Sequence, residues 1–558
     1  MTLAKDLLEK LDEERRRAEE EDARRRAEAA GIRYLNLISV HVPTEIKAMA
    51  LVPEEKAKSA LLVPLQRVAK KLVVAVFNPK LPETKAIIDE LGKEFEVELV
   101  IVSKRGLEHA WKYYQYVKPE SKEISGQVDV SEENLKKLGE KIKDLVSLQK
   151  SIDSFESPYT SEILEIILAG AFSLSASDIH LEPTERFGLL RFRIDGLLHN
   201  AYDKLELTKY KSVVTRIKLL SNLKLNIQDQ PQDGRFTIRL TDRDIEIRTS
   251  IIPSEYGETA VLRLLDPKSL KVNLEDLGWR KDDLAIASAE IEKPNGLILV
   301  TGPTGSGKTT TLYAFLRKIT NPEIKIITIE DPIEYHLPGI SQTQVKAEAG
   351  YTFASGLRSI LRQDPDVILV GEIRDKETAE IAMNASLTGH LVFSTLHTND
   401  AVGAVPRLLD LGAKPQVLGP AISLVIAQRL VRILCPHCKK EKKVDEKFAQ
   451  AIKVFLENLP ARVNKNPYEK VSVFEPVGCE KCGNLGYRGR VSIFELFVIS
   501  EKIEEKIYKS PTEIELKVLA REEGLVTMQE DGILKAISGI TSFDEVERAT
   551  GPIAWLKN

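Results

Sequence analysis

The stretch Leu299–Thr311, LVTGPTGSGKTTT, decides the fold. It fits G-x-x-x-x-G-K-[ST] at Gly302, Gly307, Lys308 and Thr309. Glycines at this spacing let backbone N–H groups turn inward around phosphate oxygens, and the following helix aims its positive end at the same oxygens. The pattern requires a strand before it and a helix after it. GLILV precedes it, and a helix-like segment starts near Lys308. Residues Gly302, Thr304, Gly305, Ser306, Gly307, Lys308, Thr309 and Thr310 are thus the candidate cradle for ATP. Lys308 is expected at the β and γ oxygens, and the Thr309 hydroxyl on Mg²⁺.

Working outward, residues 285–435 alternate short apolar strands with helical stretches: GLILVTG, IKIITIE, DVILVGE and HLVFSTLH. Continuous apolar strands between helices predict a parallel sheet covered on both faces. DVILVGEIRD puts Glu372 at the C-terminal end of such a strand, where ligands sit in open α/β sheets, so it is a candidate for the Mg²⁺ shell or for polarising water. TIEDPIEY ends another strand with Glu330, Asp331 and Glu334. Clustered carboxylates near phosphate raise one another's pKa and can supply a base, but a single acid suffices for hydrolysis. The residues alone leave open which acid it is. TGHLVFSTLHT carries His390 and His397, each either a γ-phosphate sensor or a satisfied structural histidine. Arg235, Arg248 and Arg263 lie in the preceding region. Strand arginines are commonly solvated or ion-paired, yet an arginine from a neighbouring domain can also meet a γ-phosphate.

The cysteines Cys435, Cys438, Cys479 and Cys482 are the only four in the chain and form two C-x-x-C pairs. Each pair can clamp one edge of a tetrahedral Zn²⁺, giving a closed, structural Cys₄ site. A redox pair, an iron–sulfur cluster and free thiols are the competing readings. His437 sits between two ligands and is expected to face out.

The chain has 558 residues, 43% hydrophobic and 29% charged, and a net charge of −4 from 80 basic and 84 acidic side chains. That length allows several domains, and that balance disfavours a protein that coats nucleic acid. No apolar run approaches the ~18 residues that span a bilayer. The N-terminus is charged from its fifth residue and lacks the apolar core of a secretory signal, so a cytosolic chain is expected. Residues 1–32 read as an exposed, charged helical arm and 33–117 as a small α/β docking domain. Residues 118–154 read as a polar linker holding one helix, and 155–268 as an α+β domain. The nucleotide-binding core covers 285–435, a zinc-binding insertion 436–495, and a helical tail 496–558.

Together these motifs resemble the ATPases that drive type II secretion and type IV pilus assembly. The likeness runs over nearly the whole chain. It rests on SASDIHLEP, RFRIDG, QDGRF, GPTGSGKTT, IEDPIEY, GLRSILRQDPDVILVGEIRD, TGHLVFSTLHTND, QRLVRILCPHC, GCEKCGNLGYRGR and EDGILKAISGITSFDEVERAT, in that order. The resemblance implies a RecA-like P-loop core preceded by an α+β domain, with nucleotide between the two. It also implies a homohexameric ring under the inner membrane, held there by a membrane-anchored adaptor and turning a platform protein. By the same likeness Glu334 is the catalytic base and Glu372 the Mg²⁺-associated acid, with Glu330 and Asp331 in support. Arg248 and Arg263 look like the arginines that reach the nucleotide, ahead of Arg235, and His390 and His397 match the histidine box. Retraction motors of the same superfamily resemble only the two-domain core. The repeated cyclic-dinucleotide motif of some relatives is not found in residues 33–117, so no such binding is expected. The competing reading is a RecA-like ring that translocates nucleic acid.

Overall fold

The computed structural model describes residues 2–38, 46–49, 51–68, 71–116, 132–154, 160–267, 272–469 and 471–556. The chain divides into two compact units, Met1–Ser125 and Gly126–Asn558.

In the first unit a helix, Thr2–Ala30, precedes strands β1 (Arg33–Tyr34), β2 (Leu62–Val68), β3 (Lys71–Val76) and β4 (Glu96–Ile101), ordered β1-β4-β3-β2. β3 and β4 run parallel, joined by the helix Pro82–Leu91, which starts on a proline whose missing N–H costs nothing in the first turn. The charged helix is less exposed than its composition suggests. Ala23 and Ala27 are buried, and Glu20 accepts hydrogen bonds from Tyr34 and Ser103. Alanines four apart give it a narrow apolar stripe among the Glu/Arg blocks.

The second unit opens differently from a linker. Helices Glu132–Lys141 and Leu145–Asp153 bury Leu135, Leu148 and Ile152, and the turn between them buries Ile142, in the same core as the helix Thr160–Ser173. Their apolar residues recur every three or four positions, which suffices to dock two short helices in spite of the polar composition. Strands β5 (Ala176–Pro183), β6 (Phe187–Ile194), β7 (Leu197–Glu206), β8 (Gln232–Arg239), β9 (Asp244–Ser254) and β10 (Gly257–Leu265) form an antiparallel sheet ordered β7-β6-β5-β10-β9-β8. Ile179, Leu181, Phe192, Ile247 and Leu262 face the helices and are buried. The alternate residues leave the other face polar, as period-2 patterning requires.

The core sheet combines β11 (Gly296–Thr301), β12 (Ile326–Glu330), β13 (Ser341–Gln344), β14 (Val367–Val370), β15 (Leu391–Leu396), β16 (Ile422–Leu434) and β19 (Tyr487–Val498), in the order β13-β12-β14-β15-β11-β16-β19. Leu297 and Leu299 join the apolar cluster on one face, Ile298 and Val300 that on the other. Every pairing is parallel except β16 with β19. Residues 487–495, read from sequence as part of the zinc insertion, are therefore an antiparallel edge strand of the core. The cysteine segment hangs between β16 and β19, with its own two-stranded sheet of β17 (Lys440–Lys442) and β18 (Val473–Glu475).

Four helices follow: Glu501–Tyr508, Glu513–Glu522, Met528–Ile537 and Phe543–Thr550. A buried charge cluster fastens them. Arg280 pairs with Asp283 at 2.7 Å and Asp531 at 3.0 Å, and Asp531 also takes Lys535 and the Phe494 amide. Removing one member leaves its partners charged and buried. Asp531→Ala is expected to cost about 3–5 kcal/mol, read as a lower denaturant midpoint at unchanged m-value.

Candidate functional site

β11 is buried along its whole length and delivers the chain to the phosphate loop at Thr301. The Thr301 hydroxyl lies 2.7 Å from that of Thr398, tying the loop's root to the end of the histidine box. Gly302 has φ +146°, and a Cβ there would stand 2.5 Å from the Gln428 carbonyl oxygen. Gly307, at φ +89°, caps the helix Lys308–Ile319. Only glycine fits such left-handed positions against neighbouring backbone. Lys308 Nζ donates to the Gly302 carbonyl at 2.8 Å. Burial lowers its pKa, while Glu372 and Glu334 pull it back up.

Gln428, on β16, holds the loop from below and was not singled out in the sequence. It is buried. Its Nε2 donates to the Ser306 carbonyl at 2.9 Å and to Ser492 Oγ at 3.2 Å, and its Oε1 accepts from Thr311 at 2.7 Å. Gln428→Leu is expected to leave the loop's underside unpaired. ATP affinity should fall by roughly tenfold, the equivalent of about 1–3 kcal/mol for orphaned polar groups, measured as KM and by direct nucleotide titration.

The three acids of TIEDPIEY differ in surroundings. Glu330 is buried and accepts from Tyr313, from Thr328 at 2.6 Å and from Gln342 at 3.1 Å, so its oxygens are committed to the fold. Asp331 is exposed. Glu334 opens onto the cleft and meets solvent there, but protein crowds its other sides. That crowding raises its pKa. Arg248, Arg263 and Lys308 pull it down and Glu330 adds to the rise. No side chain among the described residues donates a hydrogen bond to the Glu334 carboxylate. Glu372, at the end of β14, pairs with Arg374 at 2.5 Å, and His397 Nε2 lies 3.6 Å from its other oxygen. Burial and the nearby Lys308 hold His397 below the usual histidine pKa.

The two histidines part company. His397 follows the C-terminal end of β15 and lines the cleft with the loop. His390 precedes the N-terminal end and bonds the Ala385 carbonyl at 3.0 Å. A six-residue strand between them separates them by about 20 Å, so His390 is not brought to the site.

The arginines form a row. Across the six-stranded sheet the register pairs Arg193 with Asp178, Asp178 with Arg263, Arg263 with Arg248, and Arg248 with Arg235. Paired residues project from the same face, here the polar one. Asp178 accepts from Arg263 at 3.0 Å, and Arg248 donates to the Ile333 carbonyl of the acidic segment at 2.9 Å. A cleft of about 780 Å³ brings Lys308, Glu334, Glu372 and His397 together with Arg263 and Arg193. Arg193, Arg374 and Asp178 escaped the sequence reading. The charges of Arg193 and Asp178 are ordinary in a strand, and only the sheet register gives them a place, whereas Arg374 lies in the loop after β14 and is placed by Glu372.

The four thiols converge. Cys435 and Cys479, Cys438 and Cys482, and Cys479 and Cys482 have sulfurs 3.8 Å apart, and all four lie within 4.8 Å of one another. A tetrahedral ion with metal–sulfur bonds of about 2.3 Å sets its sulfurs about 3.8 Å apart. The separation is far above a disulfide bond of about 2.05 Å. The Gly478 and Gly486 amides donate to Cys438 and Cys482 sulfurs, as they would to thiolates. His437 is exposed, outside the group.

Comparison with known proteins shows the family. The profile of the family described as "Type II/IV secretion system protein" matches residues 155–548. "Type II secretion system protein E" of Aeromonas hydrophila is 45% identical over 410 residues, covering 73% of this chain and 79% of its own. "Type IV pilus assembly ATPase PilB" of Myxococcus xanthus is 38% identical over 527 residues, covering 94% and 89%. Among solved structures, the Legionella pneumophila ATPase DotB superposes with a TM-score of 0.51 at 22% identity over 71% of this chain and 97% of that one, a likeness of fold. No helix among the described residues is long and apolar enough to cross a membrane. The chain belongs to the type II/IV secretion system protein family and is an ATP-hydrolysing enzyme of the secretion and pilus-assembly kind.

Proposed function

We propose that this chain is the hexameric motor that couples ATP hydrolysis to assembly of a type IV pilus or a type II secretion pseudopilus. It works in the cytoplasm, held at the inner membrane by an adaptor and acting on a platform protein. The observation that carries this reading is the composition of the cleft. Its loop and acids come from the core sheet, and its arginines from the six-stranded sheet. A change of charge at the γ-phosphate then acts on both sheets at once, which is the requirement for turning hydrolysis into domain movement.

In this mechanism the loop amides and Lys308 hold the β and γ oxygens, and Thr309 and Glu372 hold Mg²⁺, which neutralises the phosphate charge when bound. Glu334 takes the proton of the attacking water, for which a raised pKa suits it. Arg263 faces the developing charge, Arg248 steadies the acidic segment from the adjoining cavity through the Ile333 carbonyl, and His397 reports on the charge through Glu372. The Cys435, Cys438, Cys479 and Cys482 thiolates hold a structural Zn²⁺. Residues 33–117 serve as the docking domain, 155–268 and 285–435 as the two halves of the motor.

The test is capture of the tagged full chain from its native cells, with mass spectrometry of what accompanies it. A multi-spanning membrane platform of a filament machine is the expected companion. Recovery of DNA instead, with turnover that DNA stimulates and salt suppresses, would favour the nucleic-acid translocase and sink this reading.

A further inference from the structure

A second large cavity of the same unit lies beyond Glu334, with a volume of about 860 Å³. Arg263, Pro332 and Glu334 line both it and the cleft of the phosphate loop, so the two spaces adjoin at these residues. Arg248 and Arg235 line only the second. In the sheet register Arg235 stands opposite Arg248, and Arg248 opposite Arg263. With strands about 4.8 Å apart, the row from Arg263 to Arg235 spans about 10 Å.

Like charges directly opposite one another weaken a sheet. Two of the three are compensated within the chain. Arg263 has Asp178, and Arg248 has Glu246 at 3.2 Å and the Ile333 carbonyl. Arg235 is exposed and has no hydrogen bond or ion pair among the described residues. The carboxylates facing this cavity are Asp233, Glu246 and Glu334. Glu246 is committed to Arg248, and Asp233 is exposed to solvent. The row thus ends in one uncompensated guanidinium.

We propose that Arg263, Arg248 and Arg235 form a binding track for inorganic phosphate leaving the Glu334 end of the cleft, with Arg235 its outer site. The inference rests on the reading of Glu334 as the residue beside which the γ-phosphate is cleaved. Hydrolysis by water yields ADP and free phosphate. ADP and Lys308 close the loop side behind the phosphate, and the adjoining cavity lies ahead of it, past Arg263 and Glu334. Each guanidinium presents a planar fork of donors to a phosphate, so transfer from one to the next never leaves the anion unpaired.

The test is equilibrium dialysis of the full chain against radiolabelled inorganic phosphate, with Mg·ADP saturating the loop. Saturable phosphate binding is expected. Arg235→Gln should weaken it by roughly fivefold to tenfold, the loss of one charge-assisted contact. Arg239→Gln, which removes the same charge on the same strand outside the cavity, should change it by less than about twofold. The absence of saturable phosphate binding would overturn the track. So would equal weakening by the two variants, or an equal loss of ADP affinity in Arg235→Gln. No turnover is involved, so vigorous hydrolysis by a Glu334 variant, which would end the reading of Glu334 as base, is a separate result.

Discussion

Glu334→Gln is expected to lower kcat for ATP by about 10²–10⁴-fold while leaving nucleotide bound, because general-base catalysis contributes on that order. The substitution keeps the shape of the side chain and removes its basicity. Glu334 is the acid to choose on chemical grounds. Glu330 has spent both oxygens on Tyr313, Thr328 and Gln342. Glu372 is paired with Arg374 and faces His397. Only Glu334 combines a carboxylate open to the cleft, crowding that raises its pKa and three cations that pull it back down. Those cations also define the contrast. Lys308→Ala removes a ligand of the phosphates, so binding and turnover should fall together, whereas Glu334→Gln should lower kcat and kcat/KM alike with little change in the titrated affinity. Stopped-flow nucleotide binding combined with steady-state turnover separates the two. Turnover by Glu334→Gln within tenfold of the parent would transfer the base to another group.

The ends of strands were the most legible part of this protein. The phosphate loop, Glu334 and Glu372 each follow an apolar strand, and the direction of a parallel sheet brings those ends to one edge. The same logic, applied to distance, separates His390 from His397, since a strand lies between them. The cysteine pairs were legible because their spacing admits few arrangements. What stayed hidden depends on pairing between distant segments. Gln428 meets Ser306, Thr311 and Ser492 only after β16 has docked beside β11 and β19. The arginine row needs β10 to lie between β5 and β9, an order that no local pattern encodes. The helices at 132–153 were obscured by composition, since a few leucines at helical spacing bury well within a polar stretch. β19 was obscured by its neighbour, the cysteine segment, whose signal is stronger than that of an edge strand.

Removal of metal from the Cys435–Cys482 cluster is expected to unfold the knuckle and to loosen the two sheets from each other. Structural Zn²⁺ supplies folding free energy outright, on the order of 10 kcal/mol in small thiolate sites. The knuckle also spans the unit. Lys143 pairs with Glu480 at 2.9 Å, Asn484 donates to Asp144 at 3.0 Å, and the Gly489 amide donates to Asp195 at 2.9 Å. The first two contacts reach the helices before the six-stranded sheet, and the third the turn between β6 and β7. The exposed Lys143–Glu480 pair contributes little alone, so under the zinc proposal the order of these contacts would depend on the metal that holds Cys479 and Cys482. Cys435→Ser together with Cys479→Ser should therefore abolish a stoichiometry of one zinc per chain. Both the knuckle and residues 143–153 should then exchange amide hydrogens faster, while β11, β14 and β15 keep their protection. A metal-free protein with unchanged exchange at residues 143–153 would mean that the thiols pack without an ion and that the sheets are joined elsewhere.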